Sequence, residues 1–150
     1  MNWTYALLAL AAGALLPLQA LVNARLGQST AGGLFASACS FLVGTVVLWL
    51  VLAASRPAWP SSDNLLRLPA WMWAGGVLGA AFVAIATLAV PRIGAASLVA
   101  LVVLGQMGAA LALDRFGILQ AARPVDASRL FGALLIVAGV VLVLQPWKAR

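Results

Sequence analysis

The chain has 150 residues, of which 65% are hydrophobic and 8% charged, with a formal net charge of +6. A soluble domain carries about 25% charged residues, and a water-exposed surface needs polar groups that this chain does not have. The apolar residues must therefore face lipid or one another. The basic residues sit singly at the ends of apolar runs rather than clustered on one face, which excludes a nucleic-acid footprint and fits contact with phospholipid headgroups.

Five apolar runs are each long enough to cross the hydrocarbon, which takes about 20 mostly apolar residues. They are expected near 5–22, 34–54, 71–90, 95–113 and 130–147. The first carries Pro17 and Gln19 and is expected to break at Asn23 to Gly33. It lacks a basic leading segment and further spans follow it, so it reads as a retained span rather than a signal peptide. The second contains no charge; Ser37, Ser40 and Thr45 are cheap there because each hydroxyl can bond its own helix carbonyls. Between it and the third lies the most polar segment, Ser55 to Pro69, where Ser61-Ser62-Asp63-Asn64 has the composition of a capped surface helix. Trp71 and Trp73 open the third span at headgroup level, and Pro91-Arg92-Ile93-Gly94 is expected as a tight turn. The fourth closes at Asp114-Arg115-Phe116-Gly117. The fifth runs from Leu130, is extended by Gln145-Pro146-Trp147, and leads to Lys148 and Arg150.

No period-2 alternation runs through these segments, so helices are the remaining way to satisfy the backbone in lipid. The expected fold is an all-α integral membrane protein with five transmembrane helices, one membrane domain over 1–150, and one half of an inverted-repeat transporter fold.

Five spans put the two chain ends on opposite faces. Counted that way, one face carries Arg56, Arg67, Arg115, Arg123 and Arg129, and the other Arg25, Arg92, Lys148 and Arg150. A Lys/Arg bias normally fixes orientation. Five against four gives little instruction, which points to insertion both ways round and pairing of two antiparallel copies.

Order and spacing along the chain carry a resemblance. Gly13-Ala14-Leu15-Leu16-Pro17-Leu18-Gln19-Ala20-Leu21-Val22-Asn23-Ala24-Arg25-Leu26-Gly27 resembles the first helix of the YdcZ-like proteins, small members of the drug/metabolite transporter superfamily. Ser40-Phe41-Leu42-Val43-Gly44-Thr45 is similar to their second helix, and Gly75-Gly76-Val77-Leu78-Gly79-Ala80 to their third. Gly105-Gln106 with Asp114-Arg115-Phe116-Gly117 resembles their fourth, and Arg129-Leu130-Phe131-Gly132 with Ala138-Gly139-Val140 their fifth. The resemblance implies five helices, a multi-pass place in the bacterial inner membrane, and an export function. The related four-helix multidrug transporters place a glutamate in their first helix; this chain has no glutamate.

Candidate site residues follow from polarity within the spans. Gln19 and Asn23, four apart, share a helix face and can bond a polar substrate, with Gln106 of the fourth span as a third ligand. An amide in hydrocarbon costs several kcal/mol, on the order of 2–7, unless it is paired or wet, so interhelical bonding is the competing role for each. Pro17 frees a carbonyl one turn earlier. Asp114 is the one acid near a span that could bind an ion, and pairing with Arg115 or capping a loop at the interface is its structural alternative. Arg25 is a gating candidate, or simply reaches headgroup phosphate. Gly75 and Gly79 are expected to pack helices closely, and Gly132 with Gly139 to share a stripe that serves either as a dimer seam or as an intrachain helix contact. No paired acids, histidine or Ser–Lys arrangement within a span points to an enzyme, no nucleotide-binding loop to ATP, and no ligand set to a metal; no cofactor is expected. The expected partners are the lipid bilayer, a small-molecule substrate and a second antiparallel copy. The expected function is a small-molecule exporter working by alternating access as an antiparallel homodimer with dual topology. A non-transporting accessory subunit of a larger complex is the alternative.

Overall fold

A computed structural model describes residues 2–118 and 121–148; Arg150, counted above, lies outside them. Among these residues there is no strand, and five helical segments are long and apolar enough to cross a membrane. The chain divides into two compact units, Met1–Arg92 and Ile93–Arg150.

The first unit begins with α1, Trp3–Gln28, whose start is capped by Asn2: its Oδ1 accepts the Thr4 amide at 3.2 Å. The helix runs through Pro17 and on past Val22, where the apolar run ends, to Gln28. Asn, Arg and Gln interrupt an apolar stretch but remain acceptable helix formers, so the hydrocarbon-sized run is shorter than the helix. Reversal comes at Gly32, at φ +99°, a conformation that strains any residue with a Cβ. α2, Gly33–Ser55, then returns antiparallel and packs on α1.

Beyond Arg56 comes α3, Ser62–Leu66, a short helix whose start is capped by Ser61, as its composition predicts: the Ser61 Oγ accepts the Asn64 amide. Trp59 in this connection stacks on Trp49 of α2, with ring centroids 5.8 Å apart. A 3₁₀ turn, Ala70–Trp73, leads into α4, Ala74–Ile93. The expected turn at Pro91-Arg92-Ile93 is helix instead. Proline costs the Thr87 carbonyl its amide partner but holds a helical φ, and only two helical residues follow it.

The second unit is a helical hairpin. α5, Ala95–Phe116, starts at Gly94 (φ +79°) and stops at Gly117 (φ +65°). α6, Ala127–Leu144, packs along it and is capped by Asp126. Gln145 ends α6 in the left-handed conformation before a 3₁₀ turn, Pro146–Lys148.

Large side chains mostly point outward, as lipid requires: Trp3, Leu10, Leu48 and Val77 are each at least 70% exposed. The buried positions are small instead. On α1 they are Ala20, Asn23, Ala24 and Gly27, and on α4 Val83, Ala86, Thr87 and Val90, both spaced i, i+3, i+4, i+7 along one face. Small residues let membrane helices approach, where oil-like solvent supplies no hydrophobic drive between them. A Cβ on Gly27 would lie 3.0 Å from the backbone of Gly32 and Gly33, and one on Gly33 would lie 2.8 Å from the Leu88 side chain.

Candidate functional site

Apart from Gln106, the candidate polar side chains within the spans fall into three places. The first is midway along α1 and α2. Gln19 is exposed, and its Nε2 donates to Ser40 Oγ at 3.4 Å. Gln19, Ser40, Phe41 and Thr45 line a cavity of about 160 Å³. The bond between α1 and α2 gives the amide a partner in lipid, which a lone glutamine would lack.

The second place is the end of the first unit where α1 turns into α2. Asn23 is buried, 3% exposed, and its Nδ2 has no hydrogen-bond partner. Gln19 and Asn23 therefore do not present one common wet stripe: Asn23 sits on the packed face with Ala20 and Ala24, while Gln19 lies beside that face. Arg25 is exposed in the last turn of α1, where a cation complements the helix dipole. Thr87 of α4, which the sequence reading passed over, is 2% exposed and its hydroxyl is likewise unpartnered. The one signal for it was a hydroxyl in an otherwise apolar span.

The third place is in the second unit. Asp114 near the end of α5 is ion-paired with Arg129 at the start of α6, Nη1 to Oδ2 3.3 Å. Of the structural alternatives to ion binding, pairing with Arg115 or capping a loop, the first is disfavoured because adjacent residues on a helix point apart; the hairpin brings Arg129 opposite Asp114. The pair borders a cavity of about 370 Å³ with Met107, Ala110, Gly132 and Ile136 on its walls. Arg129 also contributes its backbone amide to Asp126, at 2.8 Å, and Ser128 Oγ donates to the same oxygen at 2.9 Å. Those two bonds, amide first, and then the Arg129 charge hold the Asp126 carboxyl below its ordinary range.

Gln106 is exposed on α5. Of the glycines expected to pack helices, Gly79 meets the Phe41 ring of α2, with 3.6 Å from a built Cβ to the ring edge. Gly75, Gly132 and Gly139 have nothing within 4 Å of that position. Among the described residues, the closest approaches at glycine are at Gly27, Gly33 and Gly117.

Residues 4–142, which include all or part of each of the five membrane-length helices, match a family profile described as "Putative inner membrane exporter, YdcZ". The chain belongs to the YdcZ family. As a YdcZ-family protein it is a multi-pass inner-membrane protein of an exporter family, in contact with lipid and with a small-molecule substrate. Neither the curated proteins nor the solved structures include a significant match.

Proposed function

We propose that this YdcZ-family chain exports a small polar molecule by alternating access, as an antiparallel homodimer whose copies insert in opposite orientations. One observation carries the reading: five spans divide the Lys and Arg residues five against four between the two faces, too even to favour one orientation. A five-helix chain is half of an inverted-repeat transporter, and an inverted copy supplies the other half. Gln19, Asn23 and Gln106 are its candidate substrate ligands, and Arg25 and Asp114 its candidate gating or ion-coupling groups. With no acid at a span centre, a neutral or weakly charged substrate fits better than a strongly cationic drug.

A reporter fused to the C-terminus tests the topology. The expected result is signal from both sides of the membrane, and signal from a single side refutes dual insertion. For transport, the purified chain in liposomes is expected to support substrate flux alone, reduced in Gln19→Ala and Gln106→Ala. Flux that appears only when a second protein is added would make the chain an accessory subunit.

A further inference from the structure

A cavity of about 230 Å³ opens where α1, α2 and α4 end together, walled by Gly27, Gln28, Gly33, Thr87, Pro91 and Arg92. It is smaller than the roughly 300–1,000 Å³ of drug-sized pockets. The charged side chains at this end are cationic, while the last carbonyls of α1 and α4 supply acceptors. Arg92 lies on the wall, and its guanidinium has no acid partner among the described residues. Arg25 lies in the last turn of α1 at this same end, and the one acid of residues 1–92, Asp63, is on α3 at the other end. Gly33 is the first residue of α2, a 23-residue helix with no side chain capping it. The amides of Gly33, Leu34 and Phe35 consequently have no partner in their own helix and carry the positive end of its dipole.

The decisive side chain is Thr87. Hydroxyls in lipid usually bond back to a carbonyl of their own helix, and three at this end do so: Ser37 to Gly33, Thr30 to Leu26 and Ser29 to Arg25. Thr87 does not. It is 2% exposed, on the cavity wall, and unpartnered. Asn23, at a similar depth from the end of α1, keeps a second unpartnered donor in the same end of the unit. Pro91 adds an acceptor, because its missing amide is the one that would bond the Thr87 carbonyl. Donors, a cation and a neighbouring acceptor together suit an oxyanion that keeps a proton.

We infer that this cavity is a binding site for a phosphate-type oxyanion, held by the Thr87 hydroxyl, the Arg92 guanidinium and the free amides at the start of α2. Thr87 lies six residues from the end of α4, about 9 Å at the helical rise. That depth admits either a free phosphate from water or the phosphate of a lipid headgroup. The site goes beyond the transport reading and does not depend on it.

Delipidated protein in a phosphate-free sugar detergent is titrated with inorganic phosphate in one arm and short-chain phosphatidylglycerol in the other, at constant ionic strength. Unfolding is followed by tryptophan fluorescence. A saturable rise in unfolding temperature is expected in at least one arm. Inorganic phosphate alone identifies a free anion, the lipid alone a headgroup, and both the shared chemistry. Half-saturation should weaken about tenfold in Thr87→Val, which loses one donor, and more in Arg92→Gln, which loses a charge-assisted bond. Thr87→Ser keeps the hydroxyl and should bind as the native chain does. Ligand-free Thr87→Val should unfold no lower than the native chain, since it removes an unpartnered buried hydroxyl. No shift in either arm, unchanged half-saturation in either Thr87→Val or Arg92→Gln, or a ligand-free Thr87→Val that unfolds lower, overturns the assignment.

Discussion

The two units handle polarity in opposite ways. In Met1–Arg92, helices meet through Gly27 and Gly33, and two polar side chains, Asn23 and Thr87, are enclosed without partners. In the hairpin of α5 and α6, the charged groups stand near the helix ends, and Asp114 finds Arg129. A buried donor left unpartnered costs about 1–3 kcal/mol, whereas a half-exposed ion pair contributes little in either direction. Polar burial of the first kind is a standing cost that a ligand can remove. The second kind is a fastening, and it is consistent with holding the two ends of a hairpin in register.

This contrast can be broken most directly at Gly27. Gly27→Val would drive a side chain into the backbone of the α1–α2 turn, which has no flexible end to yield, at a cost of about 1–3 kcal/mol or more. The unfolding temperature in detergent should fall clearly, while Gly132→Ala in the hairpin, with open space at that position, should barely move it. Equal losses at both glycines would erase the difference between the units.

A double-mutant cycle on Asp114→Asn and Arg129→Gln comes next. The side chains are 22% and 43% exposed, so solvent screening limits their coupling to about 0.2–1 kcal/mol. That coupling should shrink in high salt, which the Gly27 effect should not. Coupling that is unchanged in 1 M salt would mean the pair is shielded as the first unit's polar groups are.

Of similar size is the Gln19–Ser40 bond. A cycle on Gln19→Leu and Ser40→Ala should give about 0.6 kcal/mol, the average for hydrogen bonds between membrane helices. The smallest effect is at Asp126. Its folded carboxyl titrates below the ordinary value of 3.8, so its capping contribution is complete above that value and is lost as pH falls through the lowered folded value. Asp126→Ala should therefore lower the unfolding temperature slightly at pH 7. The gap from the native chain should close toward pH 2, and a gap that is constant with pH would show that the carboxylate charge is irrelevant to the cap.

Much of this architecture is legible in the sequence. Apolar run length alone marks five crossings, because a backbone in hydrocarbon has few other ways to satisfy itself. The Ser61 cap of α3 is a local pattern of side chain to backbone, and local patterns are written in sequence. Helix ends were less legible. α1 outruns its apolar stretch by six residues, Asn23 to Gln28, since hydropathy marks the hydrocarbon and not the last turn beyond it. Candidate sites were legible as residue types and not as environments. Gln19 and Asn23 share an i, i+4 spacing, yet one is exposed and bonded to Ser40 and the other is buried. That difference depends on which face α1 turns toward its neighbours.

Composition and spacing by themselves determined that the chain lives in lipid, how many times it crosses, and how evenly its basic residues divide between the faces. These are sums over the chain, and transfer into hydrocarbon depends on such sums. Tertiary structure alone decided that Asp114 meets Arg129, that α1 and α2 approach closely at Gly27 and Gly33, and that Thr87 is enclosed against the start of α2 with an unpartnered hydroxyl. Each of those is a distance between separate helices, and a distance of that kind exists only once the helices have packed.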